Sequence, residues 1–296
     1  MKDSFVFLLM PLGAALLYSF GAVAVKRALA NGATRWQIIL WSNLAIALSY
    51  QPLLLMGARV GNRIPWSEAA LCASCFFLGQ MGTFLALHHG DVSVATPVLG
   101  TKVLFVTGWS AFLPGAGFKP AWAFGAVLSV LAIVIITGGG HGSRRGRLPA
   151  AFFSLGAAFS FGTADVMVQQ WAPVFGLGLF LPMVFGGMGL MTLLAFPLLI
   201  KGSWIPAPKP GRRWLAVIAL FFALQTMAMM AALGLFGHAT AVNVIYNTRV
   251  IWSVLLAWFL AKSSFAHDAT AQPGLMMRRL GGAVLLFAAV LVILAS

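Results

Sequence analysis

Apolar residues run along this chain in long blocks, and the polar residues collect between them in short clusters. Allowing about 20 residues for one crossing of a bilayer core, ten blocks of spanning length follow one another. They lie at roughly 5–25, 36–56, 68–88, 92–113, 120–138, 149–171, 176–200, 213–235, 239–261 and 279–295. Most connections are short, and several carry Gly or Pro, as in "GARVGNRIP", "LPGAGFKP" and "IPAPKPG". They leave no room for a soluble domain. The fold class this predicts is an all-α polytopic membrane protein with ten transmembrane helices. The first block is too long for the apolar core of a signal peptide and is expected to remain as a helix.

Order within the blocks adds a second expectation. "LGAALLYSFG" (12–21) returns as "LGAAFSFG" (155–162), "FFLGQ" (76–80) as "FFALQ" (221–225), "TKV" (101–103) as "TRV" (248–250), and "GAVL" (125–128) as "GAVL" (282–285). One short apolar echo arises easily by chance, but four in the same order point to an internal repeat. The expected domains are a five-helix repeat over 1–140 and a second over 141–296. Five is odd, so the second repeat enters the bilayer from the opposite side. Inverted repeats of this kind suit alternating access about a central site.

Composition agrees with the pattern. The chain is 61% apolar and 8% charged, with a mean hydropathy of +0.96. A soluble domain is about a quarter charged and under half apolar, so most of this surface must be solvated by lipid. The net charge of +14 sits in clusters beside the blocks: "KR" at 26–27, "SRRGR" at 143–147, "GRR" at 211–213 and "MRR" at 277–279. That distribution anchors and orients membrane helices. It provides no basic soluble domain for nucleic acid, which is excluded as a partner. Cys72 and Cys75 have no nearby His or acidic residue to complete a metal shell and read as packing residues. No metal or cofactor is expected. The chain has no P-loop, no metalloprotease motif and no Ser/His/acid set, so it is not expected to be an enzyme or an ATP-driven pump.

Three ionisable residues fall well inside blocks: Lys102, Asp165 and Arg249. A charge at the bilayer centre costs about 2.5–3.5 kcal/mol on insertion scales, so such residues face a cavity and pair or hold a ligand. Lys102 and Arg249 are the cations of "TKV" and "TRV". Three readings are open for the pair: an anion or carboxylate site, balance by Asp165 or helix carbonyls, and snorkelling. Central placement argues against snorkelling. Polar neighbours favour the anion site: Thr101, Asn243, Tyr246, Asn247 and Thr248 share these two blocks, with Asn243 and Asn247 on one helix face. Arg249 would grip a carboxylate bidentately while Lys102 acts as a point charge. Asp165 is either a counter-ion or a proton carrier. Gln80 and Gln225 are repeat-matched amides, and Tyr18 is a candidate cavity residue. Pro97, Pro182 and Pro197 mark helices able to bend.

The ten-block outline, the opening "LGAALLYSFGAVAVK" and the junction "GDVSVATPVLGTKVLF" resemble the drug/metabolite transporter superfamily, and most of all its ten-helix EamA-like transporters. The resemblance implies a secondary transporter of small metabolites, with a central cavity lined by the first, third, fourth, sixth, eighth and ninth helices. With the two cations, the expected function is export of a small polar metabolite bearing a carboxylate, such as an amino acid or organic anion. Efflux of organic cations is the alternative, and a lipid-handling protein a further one. The expected partners are the substrate, the lipid bilayer and protons as coupling ion, and the chain is expected to act as a monomer or homodimer in a bacterial inner membrane. Many relatives are described with cytoplasmic termini. Here four loop cations (Lys2, Arg59, Arg63, Lys119) lie on the side of the termini and thirteen on the other, so the positive-inside rule favours termini outside.

Overall fold

The computed structural model describes residues 2–56, 63–89, 95, 98–112, 119–137, 144–199, 207–261 and 273–296. Among these the structure is all helical. In chain order the helices are α1 (Lys2–Ala30), α2 (Arg35–Tyr50), a 3₁₀ helix (Gln51–Met56), α3 (Trp66–His89), α4 (Lys102–Phe112), α5 (Pro120–Thr137), α6 (Arg144–Phe175), α7 (Leu177–Leu199), α8 (Lys209–Phe236), α9 (Ala239–Tyr246), α10 (Arg249–Ala261) and α11 (Pro273–Ala295). In lipid a helix satisfies all its interior backbone groups by itself, and that is why apolar blocks of this length become helices. Ends carry local signals. Thr34 accepts from the backbone N–H of Gln37 while the Gln37 side chain accepts from Thr34 N–H, a capping box that starts α2. Pro182 and Pro197 lie within α7. Pro97 lies outside the described residues.

The ten-block outline needs correction in detail. Six described helices are long and apolar enough to cross a membrane, while Val98–Phe112, Pro120–Ile136 and Leu280–Ala295 are shorter apolar helices. The ninth block is two helices, α9 and α10, separated at Asn247 and Thr248. Polar side chains there bond locally and to Ser129, offering the backbone an alternative to the α-helical ladder.

The helices group into two compact units, divided within α3 and α6. Unit 1 comprises Met1–Phe77 and Met167–Phe236. In it α1 and α8 run antiparallel, shown by ring pairs Phe7–Phe236, Tyr18–Phe222 and Phe20–Phe221 at centroid separations of 5.8, 5.8 and 5.7 Å. The first and eighth members of an alternating series must run in opposite directions, so the count of crossings between them has the right parity. Between α2 and α7, Asn43 Nδ2 donates to Thr192 Oγ1 at 3.0 Å, and Tyr50 stacks on Phe185 at 4.2 Å. With no hydrophobic effect between helices in lipid, such hydrogen bonds and close packing supply the adhesion.

Unit 2 comprises Leu78–Val166 and Gly237–Ser296. Here α5 and α11 pack around a cluster of Ala132, Ile133, Ile136, Val250 and Leu286. They are antiparallel, as fifth and tenth members must be, and Lys119 at the head of α5 donates to the Ser296 carbonyl at 2.6 Å. Each unit draws helices from both halves of the chain.

Candidate functional site

The site residues are placed by two matching interruptions in unit 2. Thr101 N–H and Thr101 Oγ1 both donate to the Val98 carbonyl, at 3.0 and 2.6 Å. Thr248 N–H and Oγ1 both donate to the Ile245 carbonyl, at 3.1 and 2.7 Å. The next bonds match as well: Leu104 N–H to the Thr101 carbonyl at 2.8 Å, and Ile251 N–H to the Thr248 carbonyl at 2.9 Å. Each threonine thus closes a tight i→i+3 turn and its hydroxyl reinforces the same carbonyl. In both places the cation follows at once, Lys102 as the first residue of α4 and Arg249 as the first of α10. A cation at a helix N-terminus is opposed by the helix dipole, so another group must compensate it.

For Lys102 that group is Asp165. Lys102 Nζ lies 2.7 Å from Asp165 Oδ2, and their side chains are 17% and 1% exposed. Asn243 Nδ2 donates to the same oxygen at 2.8 Å and to the Ala239 carbonyl at 3.0 Å. Asp165 reaches α4 because α6 carries Gly162 one turn before it. A Cβ at Gly162 would stand 3.2 Å from the Lys102 carbonyl oxygen and 3.0 Å from Phe105 Cβ. Trp109 Nε1 donating to Thr163 Oγ1 at 3.0 Å ties the same two helices.

Tyr246, buried on the last turn of α9, faces both cations. Arg249 Cζ stands 4.6 Å from its ring centroid and Lys102 Nζ 5.8 Å from the same centroid. Within about 6 Å a cation is attracted to the ring face. Lys102, Arg249, Asp165, Asn243 and Tyr246 are therefore one constellation, with Thr101 and Thr248 as its supports. Asn247 turns elsewhere and donates to Ser129 Oγ at 2.7 Å, so the two asparagines four apart serve different neighbours. Gln80 lies in unit 2, on α3. Tyr18, stacked on Phe222, and Gln225 belong to unit 1.

Two features of the site carry no signal in residue type alone. Ser129 as a partner of Asn247 requires the fold. Gly162 was visible only as the last letter of the echoed word "LGAAFSFG". Asn243 Oδ1 is buried with no hydrogen-bond partner among the described residues, which leaves an acceptor beside the ion pair. At the far end of α9, His238 has left-handed backbone (φ 55°) and its ring meets Trp122 edge-on at 4.9 Å. Partial burial, and secondarily the charge of Lys119, hold the His238 pKa below the ordinary histidine value.

Apolar helices of spanning length with an ion pair buried among them define an integral, multi-pass membrane protein. Residues 5–138 match the EamA-like transporter family. The match takes in Thr101 and Lys102 and ends before Asp165, Asn243 and Arg249. An uncharacterized transporter from Archaeoglobus fulgidus is 25% identical over 160 residues, which are 53% of this chain and 56% of that protein. The chain thus spans little more than half the length of that relative. A solved crystal structure superposes with a TM-score of 0.71 at 22% identity, covering 95% of this chain and 98% of the other, and shares its fold.

Proposed function

We propose that this chain is a secondary transporter that exports a small polar metabolite bearing a carboxylate, an amino acid or organic anion, by alternating access. The reading includes two inverted five-helix repeats, 1–140 and 141–296, whose counterpart threonine turns carry the cavity's cations. The single observation that supports it most is the pairing of repeat-related Lys102 and Arg249 about one phenol ring, with one carboxylate between the helices. A substrate carboxylate competes with Asp165 for Lys102, and Arg249 supplies the planar grip. The ammonium of an amino acid finds Asp165 and the open acceptor Asn243 Oδ1. Pairing with Lys102 favours Asp165 as a counter-ion displaced during the cycle over a proton carrier. Efflux of organic cations is favoured only by Asp165 and Tyr246, and two neighbouring cations weigh against it.

The test is counterflow in proteoliposomes, with carboxylates, amino acids and organic cations as separate arms. Saturable, counterflow-stimulated exchange of an amino acid or organic anion is expected, and Lys102→Gln and Arg249→Gln should each abolish it at normal membrane insertion. Normal transport by both variants sinks the site, and exchange of organic cations alone sinks the substrate class.

A further inference from the structure

The basic end of unit 1 is outside the constellation above. There the C-terminus of α1 meets the N-termini of α2 and α8. Ala28, Ala33, Ala207 and Leu215 share one buried cluster. Gly211 passes so close that a Cβ would stand 2.8 Å from the Asn31 carbonyl oxygen. These three helix ends carry six cations, Lys26, Arg27, Arg35, Lys209, Arg212 and Arg213, and no acidic residue. Of the acidic residues assigned to unit 1, Asp3 is at the opposite end of α1, and Glu68 starts α3, where it pairs with Arg63.

A groove of about 450 Å³ opens here, lined by Lys209, Pro210, Arg213, Trp214 and Val217. Lys209, Arg213 and Val217 are four apart and lie on one face of α8. The same face continues into the span as Leu220 and Leu224, exposed to 57% and 44%. The stripe therefore reads as two cations at the membrane edge, a half-buried tryptophan beside them, and exposed aliphatic side chains below. Tryptophan favours the headgroup level, and basic pockets between helices on the charge-rich side take anionic headgroups.

We propose that this groove is a binding site for an anionic phospholipid. The phosphate lies between Lys209 Nζ and the Arg213 guanidinium, and an acyl chain runs down over Trp214, Val217, Leu220 and Leu224. Lipid rather than soluble phosphate is the occupant because the apolar track continues from the cationic rim along the membrane-spanning helix. On the positive-inside rule this end meets the cytoplasmic leaflet, where anionic lipid supplies the complementary charge.

The test uses the full chain purified in neutral detergent, read by native mass spectrometry and by Tm. The arms are phosphatidylglycerol, phosphatidylcholine and inorganic phosphate. Phosphatidylglycerol should bind at one retained molecule per chain and raise Tm, with the other two ineffective. Each basic residue near an anionic surface contributes about fivefold, so Lys209→Gln with Arg213→Gln should weaken phosphatidylglycerol about thirtyfold. Arg278→Gln, which removes an exposed charge on α11, should leave it unchanged. Should the double variant fail to fold, salt titration of the unaltered protein decides: phosphatidylglycerol binding must fall steeply between about 0.1 and 1 M salt, where the screening length shrinks from about 10 to 3 Å. Equal effects of the two lipids, undiminished binding by the double variant, salt-insensitive binding, or an equal effect of phosphate would each overturn the proposal.

Discussion

The Lys102–Asp165 pair offers the sharpest test of how unit 2 holds together, because its two halves predict opposite outcomes alone and combined. Lys102→Met leaves Asp165, 1% exposed, with Asn243 as its remaining hydrogen-bond donor among the described residues. Asp165→Leu leaves Lys102, 17% exposed, facing the Tyr246 ring that Arg249 also occupies. Removing one partner of a buried pair costs about 3–5 kcal/mol, since the survivor keeps its desolvation penalty and loses its attraction. Lys102 can recover part of that through its partial exposure, so Asp165→Leu belongs at the lower end. The double variant removes both charges. Replacing such a pair by apolar side chains is often neutral, and here the remaining loss is one hydrogen bond of Asn243, about 1 kcal/mol.

The coupling energy of the double-mutant cycle is then about 5–7 kcal/mol. Membrane proteins commonly unfold irreversibly, so the variants are compared by Tm in one detergent at one scan rate. At roughly 2–4 °C per kcal/mol each single variant should fall by about 6–20 °C, and the double variant should return to within about 4 °C of the parent. A double variant as unstable as the sum of the singles would refute the reasoning, since the two charges would then be solvated independently.

Three further outcomes follow from the same helices. Gly162→Ala should lower Tm by the equivalent of about 1–3 kcal/mol, because its Cβ meets the Lys102 backbone carbonyl, whereas Gly156→Ala, with nothing within 4 Å, should be neutral or stabilising; equal effects would mean that α4 and α6 do not approach as described. Thr248→Val and Thr101→Val each remove a hydroxyl bond worth about 1 kcal/mol and should speed amide exchange at Ile251 and Leu104 respectively, while Thr→Ser at either position should not; unchanged exchange in both valine variants would count against the paired turns. His238 is held below its ordinary pKa, so the unfolded chain takes up its proton first as pH falls through the normal histidine range and stability drops with acidification. His238→Asn, which keeps the left-handed backbone accessible, should flatten Tm against pH below neutrality, and an unaltered slope would exclude His238 as its source.

Much of this was legible in the chain, for identifiable reasons. Block length foretells helices because lipid leaves the backbone no other partner. The alternation of directions survives scrutiny within each unit, since the Phe7–Phe236 and Lys119–Ser296 contacts require the parities that the blocks imply. Intramembrane charge identified Lys102, Asp165 and Arg249 because an ionised group in lipid is rare and costly. The break inside the ninth block was hidden. In "VNVIYNTRVIWSV" apolar residues flank the polar "NTR" on both sides, and hydropathy is blind to whether a threonine hydroxyl points at lipid or at its own i−3 carbonyl. The destination of Asn247 was hidden too, because helical spacing places it with Asn243 only while the helix continues, and the helix stops there.

That interruption changes the meaning of the echo between "TKV" and "TRV". As letters, the two words share a β-branched pair around a cation. In the fold they share a turn: the threonine folds back on the i−3 carbonyl, the helix restarts, and the cation sits at the new N-terminus against its dipole. What differs is the compensation. Lys102, a compact point charge, has a carboxylate at 2.7 Å, while Arg249, a planar cation, lies over a phenol face at 4.6 Å. These are the settings each side chain suits best, so exchanging the two residues would disturb both ends while conserving total charge. The two turns are alike in backbone and unlike in chemistry: the same hydroxyl-to-carbonyl closure precedes an ion pair in one and a cation–ring contact in the other.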